Sequence, residues 1–327
     1  MVDCAIGMMV ISLGAATERK IAIGARLIVQ RKPRNSEMKR RVQKGILTLA
    51  GRVPIVHRAA MIVAAQETYR RLRGRFVDNG QCSAFDKAIR SEIVERFERI
   101  DCEVPTATTP SDGLFLAEMV FNTRGQGPLV ECGCYAGASS AKLSILAKLV
   151  GRGLIICDSF EGLPVADPND LKDHHCRESD TWVTDWTAGR YASGLENVQS
   201  NIRNYGEIQA CKFVLGWFQE TLVDANLPKQ ISFAFADVDL ATSARDCFVA
   251  LWPRVSDGGI YVTHDTAYIK VLQELYSPDL WRHKFMSTPP ILFGAGYGLS
   301  DSSPHLGYMV KGDGLSSEYL KSLTVAR

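Results

Sequence analysis

No run in this 327-residue chain is apolar for long enough to cross a bilayer. The longest early stretch, residues 4–16, is too short, and an acid, Asp3, precedes it where a signal peptide carries basic residues. Neither a secretory signal nor a transmembrane helix is expected. Glycine and proline supply only 40 residues, and apolar residues reach 46% against 23% charged, which excludes collagenous and disordered classes. Cysteines at zinc spacing are missing as well, since neither Cys132/Cys134 nor His174-His175-Cys176 has a partner cluster. The nine cysteines are an odd number and lie in apolar stretches, as reduced core thiols of a cytoplasmic protein would.

Net charge is nearly absent, at +2, but the balance hides an asymmetry. Residues 1–75 carry 16 Lys/Arg against 4 Asp/Glu, and the remainder 22 against 32. A basic block of this kind either meets an anionic surface, here a peripheral membrane contact, or forms a solvated helical or dimer face. No nucleic-acid partner is expected, and a homo-oligomer is.

Helical periodicity marks residues 39–76, with one proline at 54, and again Ser83–Ile100; Ser111 reads as the cap of a helix reaching Phe121. These divisions give a basic helical appendage over residues 1–80 and a main domain over 81–327. Beyond Gly127 short apolar strands alternate with helices. Strands are predicted at Pro128–Cys132, Gly153–Cys157, Lys212–Leu215, Ile231–Ala236, Gly259–Thr263, Ile291–Phe293 and Leu306–Val310. Helices are predicted at Ser139–Val150, Gly194–Tyr205, Phe218–Ala225 and Thr242–Trp252. The pattern predicts an α/β fold: a doubly wound, mainly parallel seven-stranded sheet with an antiparallel edge pair and ligands at the strands' carboxyl ends.

The first strand runs into Glu131-Cys132-Gly133-Cys134-Tyr135-Ala136-Gly137-Ala138-Ser139 at the start of a helix. Such glycines let a ligand approach the backbone at a helix N-terminus. A dinucleotide fingerprint needs a second glycine where Tyr135 stands, so a nucleoside without pyrophosphate fits better. The acid Glu131 before the glycine suits the cationic end of S-adenosylmethionine. Asp158 ends the second strand at the position of a ribose-binding acid, and Phe160 in Asp158-Ser159-Phe160-Glu161-Gly162-Leu163-Pro164 is placed to cover an adenine.

Together with Gly216-Trp217-Phe218-Gln219-Glu220-Thr221-Leu222, Asp237-Val238-Asp239-Leu240, Leu251-Trp252-Pro253-Arg254 with Gly258-Gly259, and His264-Asp265, these runs resemble the macrocin O-methyltransferase family over roughly residues 100–310. The resemblance implies a Rossmann-like class I methyltransferase that is S-adenosylmethionine-dependent, usually uses Mg²⁺, and methylates sugar hydroxyls of natural products. It implies cofactor contacts at Glu131, Gly133, Tyr135, Gly137, Ser139, Asp158, Ser159, Phe160, Gly216, Trp217 and Phe218. It also implies metal ligands at Asp237, His264 and Asp265. His264 stands where the family usually has the first acid of an Asp-Asp pair, and imidazole suits Mn, Fe or Zn better than Mg.

Two mechanisms stay open on these residues. In one, a metal at Asp237 and Asp265 lowers the acceptor's pKa and Asp237 assists deprotonation. In the other, His264 is the general base and no metal is needed, on another, lipid-linked acceptor for example. A cofactor-binding module without catalysis is the non-enzymatic alternative. Asp239 reads equally as a helix N-cap or a site residue. The aperiodic stretch from Val165 to Gly194, with Asp170, Asp173, His174, His175, Asp180, Trp182, Asp185, Trp186 and Tyr191, reads as a lid whose tryptophans and acids either contact a sugar of the acceptor or serve the lid's own packing.

Overall fold

The segment Ile231–Ala236 is almost continuously apolar, which suits a strand in a sheet covered on both sides. The computed structural model describes residues 54–81, 85–168, 170, 186–294 and 306–312. Contacts divide the chain into two units, Met1–Leu72 and Arg73–Arg327. The first contributes the start of one long helix, α1 (Pro54–Asp78). Among the described residues, no helix is long and apolar enough to cross a membrane.

In the second unit, helices α2 (Lys87–Glu103) and α3 (Pro110–Asn122) precede the sheet. Six strands then follow: β1 (Leu129–Cys132), β2 (Leu154–Asp158), β3 (Cys211–Leu215), β4 (Ile231–Ala236), β5 (Val255–Thr263) and β6 (Gly307–Val310). Between them lie α4 (Ala138–Leu149), α5 (Leu195–Tyr205), α6 (Phe218–Thr221) and α7 (Ala241–Leu251), with α8 (Ile269–Leu275) after β5. The order is β3-β2-β1-β4-β5-β6, with all neighbours parallel except β5 and β6. Every residue of β1 and β4 is buried. Strand order reverses between these two, so the crevice for a ligand opens at Cys132 and Ala236.

The expected α/β sheet is present with six strands rather than seven among the described residues. Ile291–Phe293 forms no strand; Phe293 makes a single antiparallel bridge to Tyr308, too little pairing to extend the edge. The predicted helix Phe218–Ala225 stops after one turn at Thr221. Ser111 is not a cap: Thr109 caps α3 in a reciprocal box with Asp112, and Pro110 occupies the first helical position, where its missing N–H costs nothing. Asp239 is likewise not the cap of α7, which starts from Leu240.

Helices α2, α3 and α4 are locked together through buried charges. Arg90, almost fully buried, pairs with Glu118 at 2.7 Å and lies over the rings of Phe76 and Phe121. Lys142 of α4 pairs with Asp101 of α2. Breaking one partner of such a pair strands the other charge at a cost of about 3–5 kcal/mol. Through Glu118, α3 is thereby tied to α2.

Candidate active site

The β1–α4 turn is shaped by a close approach. Gly133 has φ +82° and donates its N–H to the Cys157 carbonyl at 3.0 Å; a Cβ there would lie 1.9 Å from the Asp237 carbonyl oxygen. Only glycine lets the tips of β1 and β4 meet this closely. Tyr135, which occupies the fingerprint's second glycine position, adopts φ 47° all the same. Its ring meets Tyr191 edge-on at 5.3 Å, and the Arg190 guanidinium covers Tyr191. Gly137 begins α4 without a side-chain cap.

Asp158, at the tip of β2, is fixed by two backbone donors. Cys134 N–H reaches Oδ2 at 2.7 Å and Phe160 N–H reaches Oδ1 at 2.6 Å. Each oxygen retains a lone pair, which is what a ribose diol requires. Phe160 itself is buried with φ 60° and tilts against Phe213. Ser159 is buried and donates to the Gly162 carbonyl. Just after β3, the Gly216 N–H donates to the Asp158 carbonyl, Trp217 stands at the position before α6 without a side-chain capping bond, and Phe218 packs on the core. The residues named for the cofactor thus fall at the ends of β1, β2 and β3 and in the turns that follow, with Ser139 buried in the first turn of α4 and Phe218 opening α6.

Glu131 is fully buried in β1, where Ser140 of α4 donates to Oε2 at 2.5 Å. Its Oε1 is buried with no hydrogen-bond partner among the described residues. Burial pushes this carboxyl up to about 8, hydroxyls of Ser139 and Ser140 oppose the rise, and Asp237 and Asp158 add to it. An acid ionising near 4.5 when unfolded and near 8 when folded favours the folded state less and less as pH climbs through that interval, then levels off. Glu131→Gln is therefore expected to gain stability relative to the parent between about pH 5 and pH 8. Denaturant unfolding at both values checks it; an equal difference at both would contradict it.

At the tips of β4 and β5, Asp237, His264 and Asp265 bring ligand atoms within 4.8 Å of one another. His264 Nδ1 lies 3.3 Å from Asp237 Oδ1 and 3.6 Å from Asp265 Oδ1, and Nε2 lies 3.8 Å from Asp112 Oδ2. Asp265 is oriented by the Asp239 N–H, which reaches Oδ2 at 2.9 Å. Burial alone would depress His264, but Asp237, Asp112 and Asp265 outweigh it and hold the imidazole well above its ordinary value. Burial raises Asp237 to about 6, with His264 opposing and Asp265 and Asp112 reinforcing. Burial also lifts Asp239, at φ 58°, well above the carboxylate range, with Asp265 and Asp237 adding to it. Four carboxyl groups crowd around one imidazole. That excess of negative charge, with oxygen and nitrogen donors converging, fits a divalent cation.

An aromatic wall stands beside these acids. Trp186 meets Tyr268 edge-on at 5.2 Å, and both pack with Leu163, Leu240 and Tyr191. Asp170 is buried and accepts from the Ala241 N–H at 3.0 Å, so it pins α7 instead of facing an acceptor. Asp173, His174, His175, Asp180, Trp182 and Asp185 lie outside the described residues. Asp112 escaped the sequence reading, which took its neighbour Ser111 as the cap of α3.

Fold and site together define a class I methyltransferase type of architecture. The model of the macrocin O-methyltransferase (TylF) family matches residues 115–285, more than half of the chain, and the chain belongs to that family. Among curated proteins it is similar to the 8-demethyl-8-(2,3-dimethoxy-alpha-L-rhamnosyl)-tetracenomycin-C 4'-O-methyltransferase of Streptomyces olivaceus, at 31% identity over 157 residues. That match covers 47% of this chain and 58% of the relative. It is also similar to the demethyldecarbamoylnovobiocin O-methyltransferase of Streptomyces niveus, 29% identical over 45% of this chain and 56% of that one. The matched segments thus span somewhat over half the length of these relatives. Among solved structures, the O-methyltransferase NovP shares the fold with a TM-score of 0.50 at 20% identity, over 77% of this chain and 99% of NovP.

Proposed function

We propose that this chain transfers the methyl group of S-adenosylmethionine to a hydroxyl of a glycosylated or otherwise polyhydroxylated small molecule. The observation that carries the reading is the junction at Gly133, which brings the glycine turn against Asp237 and so joins a cofactor crevice to an acid cluster. Family membership and the named substrates of the two Streptomyces relatives support the acceptor class.

S-adenosylmethionine supplies a methyl group already activated on its sulfonium, so the protein's work is alignment and proton removal. Asp158 would hold the ribose hydroxyls, and Glu131, whose Oε1 has no hydrogen-bond partner among the described residues, would hold the ammonium end, a cation that keeps the carboxylate ionised. Asp237 takes the proton from the acceptor oxygen as the carbon–oxygen bond forms and the carbon–sulfur bond breaks. The Trp186, Tyr191 and Tyr268 wall keeps water from the crevice. Asp237, His264 and Asp265 would hold the divalent cation, whose chemistry is to lower the acceptor's pKa. With both ring nitrogens of His264 turned to carboxylates, Asp237 is the better proton acceptor of the two. Residues 1–80 we take as an appendage outside this machinery, because the family match begins well after them.

Calorimetric titration tests the cofactor assignment. Asp158→Ala is expected to weaken S-adenosylmethionine binding by about 100-fold or more, each of two hydrogen bonds to a charged acceptor being worth roughly 1.5–3 kcal/mol. Unchanged affinity, or preference for NAD by the parent protein, would overturn it.

A further inference from the structure

We infer that Asp112 is a positioning residue that fixes the His264 ring with Nε2 toward α3 and Nδ1 toward Asp237 and Asp265. The inference rests on the cation reading above. It concerns a residue outside the family-matched segment, which starts at 115. Histidine has two nitrogens that can ligate, and the one that faces a metal is set by what the other bonds. Metal-ligating histidines commonly give the second N–H to a carboxylate. Here an aspartate at position 264 would need no such partner, whereas a histidine does.

Asp112 suits that task because it is itself immobilised. It is fully buried, and Oδ2 accepts from the Thr109 N–H at 2.8 Å and the Thr109 hydroxyl at 2.9 Å. The buried pair of Arg90 with Glu118 ties α3 to α2. From Oδ2 to His264 Nε2 the distance is 3.8 Å, a charge contact that a movement of about 1 Å converts into a hydrogen bond. On the opposite edge of the ring Asp237 and Asp265 lie at 3.3 and 3.6 Å from Nδ1. The ring therefore stands between one carboxylate that orients and two that share its ligand.

Two measurements on the full chain test this. In ¹⁵N-histidine-labelled protein loaded with Zn²⁺, His264 should coordinate through Nδ1 and keep its proton on Nε2; coordination through Nε2 would overturn the inference without any variant. Calorimetry with Mn²⁺ should show Asp112→Asn weakening the ion about 10- to 100-fold, the usual cost of losing such a partner. Thr109→Ala, which removes one of the two bonds that hold Asp112 but leaves its carboxylate, should weaken Mn²⁺ binding much less than Asp112→Asn does. In a His264→Asp background the Asp112→Asn change should have no effect. Equal losses in both backgrounds, or from Thr109→Ala, would reduce Asp112 to a helix cap. Failure of the parent protein to bind either ion would refute the cation reading and this inference with it, while S-adenosylmethionine binding would still judge the proposed function separately.

Discussion

Asp237→Asn is expected to lower methyl transfer by about 10²–10⁴-fold, the range lost with a general acid or base, while S-adenosylmethionine still binds. The effect on stability should run the other way. Asp237 ionises near 6 in the fold against an ordinary 3.8, so its charge disfavours the folded state increasingly as pH rises through that interval. At about pH 8 the neutral amide should therefore be as stable as the parent or more so. A variant that is stable, binds cofactor and fails to transfer separates chemistry from folding. Full activity in Asp237→Asn would remove Asp237 from the mechanism.

Gly133→Ala should produce the largest loss of stability of any single methyl addition in the crevice. The new Cβ would sit 1.9 Å from the Asp237 carbonyl oxygen and 3.2 Å from Val238 Cγ1, on a backbone at φ +82°. Forced displacement of packed backbone and the left-handed conformation together cost about 3 kcal/mol or more. Gly151→Ala is the control: φ is +67° there, but nothing lies within 4 Å, so only the conformational cost of about 1–2 kcal/mol applies. Urea unfolding of both variants checks the contrast. Equal losses would mean that the β1 and β4 tips tolerate separation, and the crevice would lose its rigid junction.

Much of this site was legible because strand tips are where sequence and space coincide. Gly133, Asp158, Asp237, His264 and Asp265 each follow directly on an apolar strand, and parallel strand order then makes neighbours of them. Asp112 was hidden because it serves α3 locally, in a capping box with Thr109, and its second contact crosses from a helix that precedes the sheet. Tyr135 carries two messages: its bulk argues against pyrophosphate, and its backbone still takes the left-handed conformation a glycine would. The seventh strand failed because an apolar triplet at Ile291–Phe293 predicts burial better than pairing, and Ile291 is in fact exposed. Asp239 reads equally as a cap or a site residue; α7 starts from Leu240 instead, and the Asp239 N–H orients Asp265.

The central claim is methyl transfer at the junction of the Gly133 turn and the Asp237 cluster. Its most direct test is incubation of the full chain with methyl-labelled S-adenosylmethionine and a set of glycosylated small molecules differing in their free sugar hydroxyls, read by mass spectrometry. The account predicts label on one sugar hydroxyl of at least one acceptor, abolished in Asp237→Asn. Tight cofactor binding with no label on any hydroxyl, or label on nitrogen or carbon instead, would contradict it.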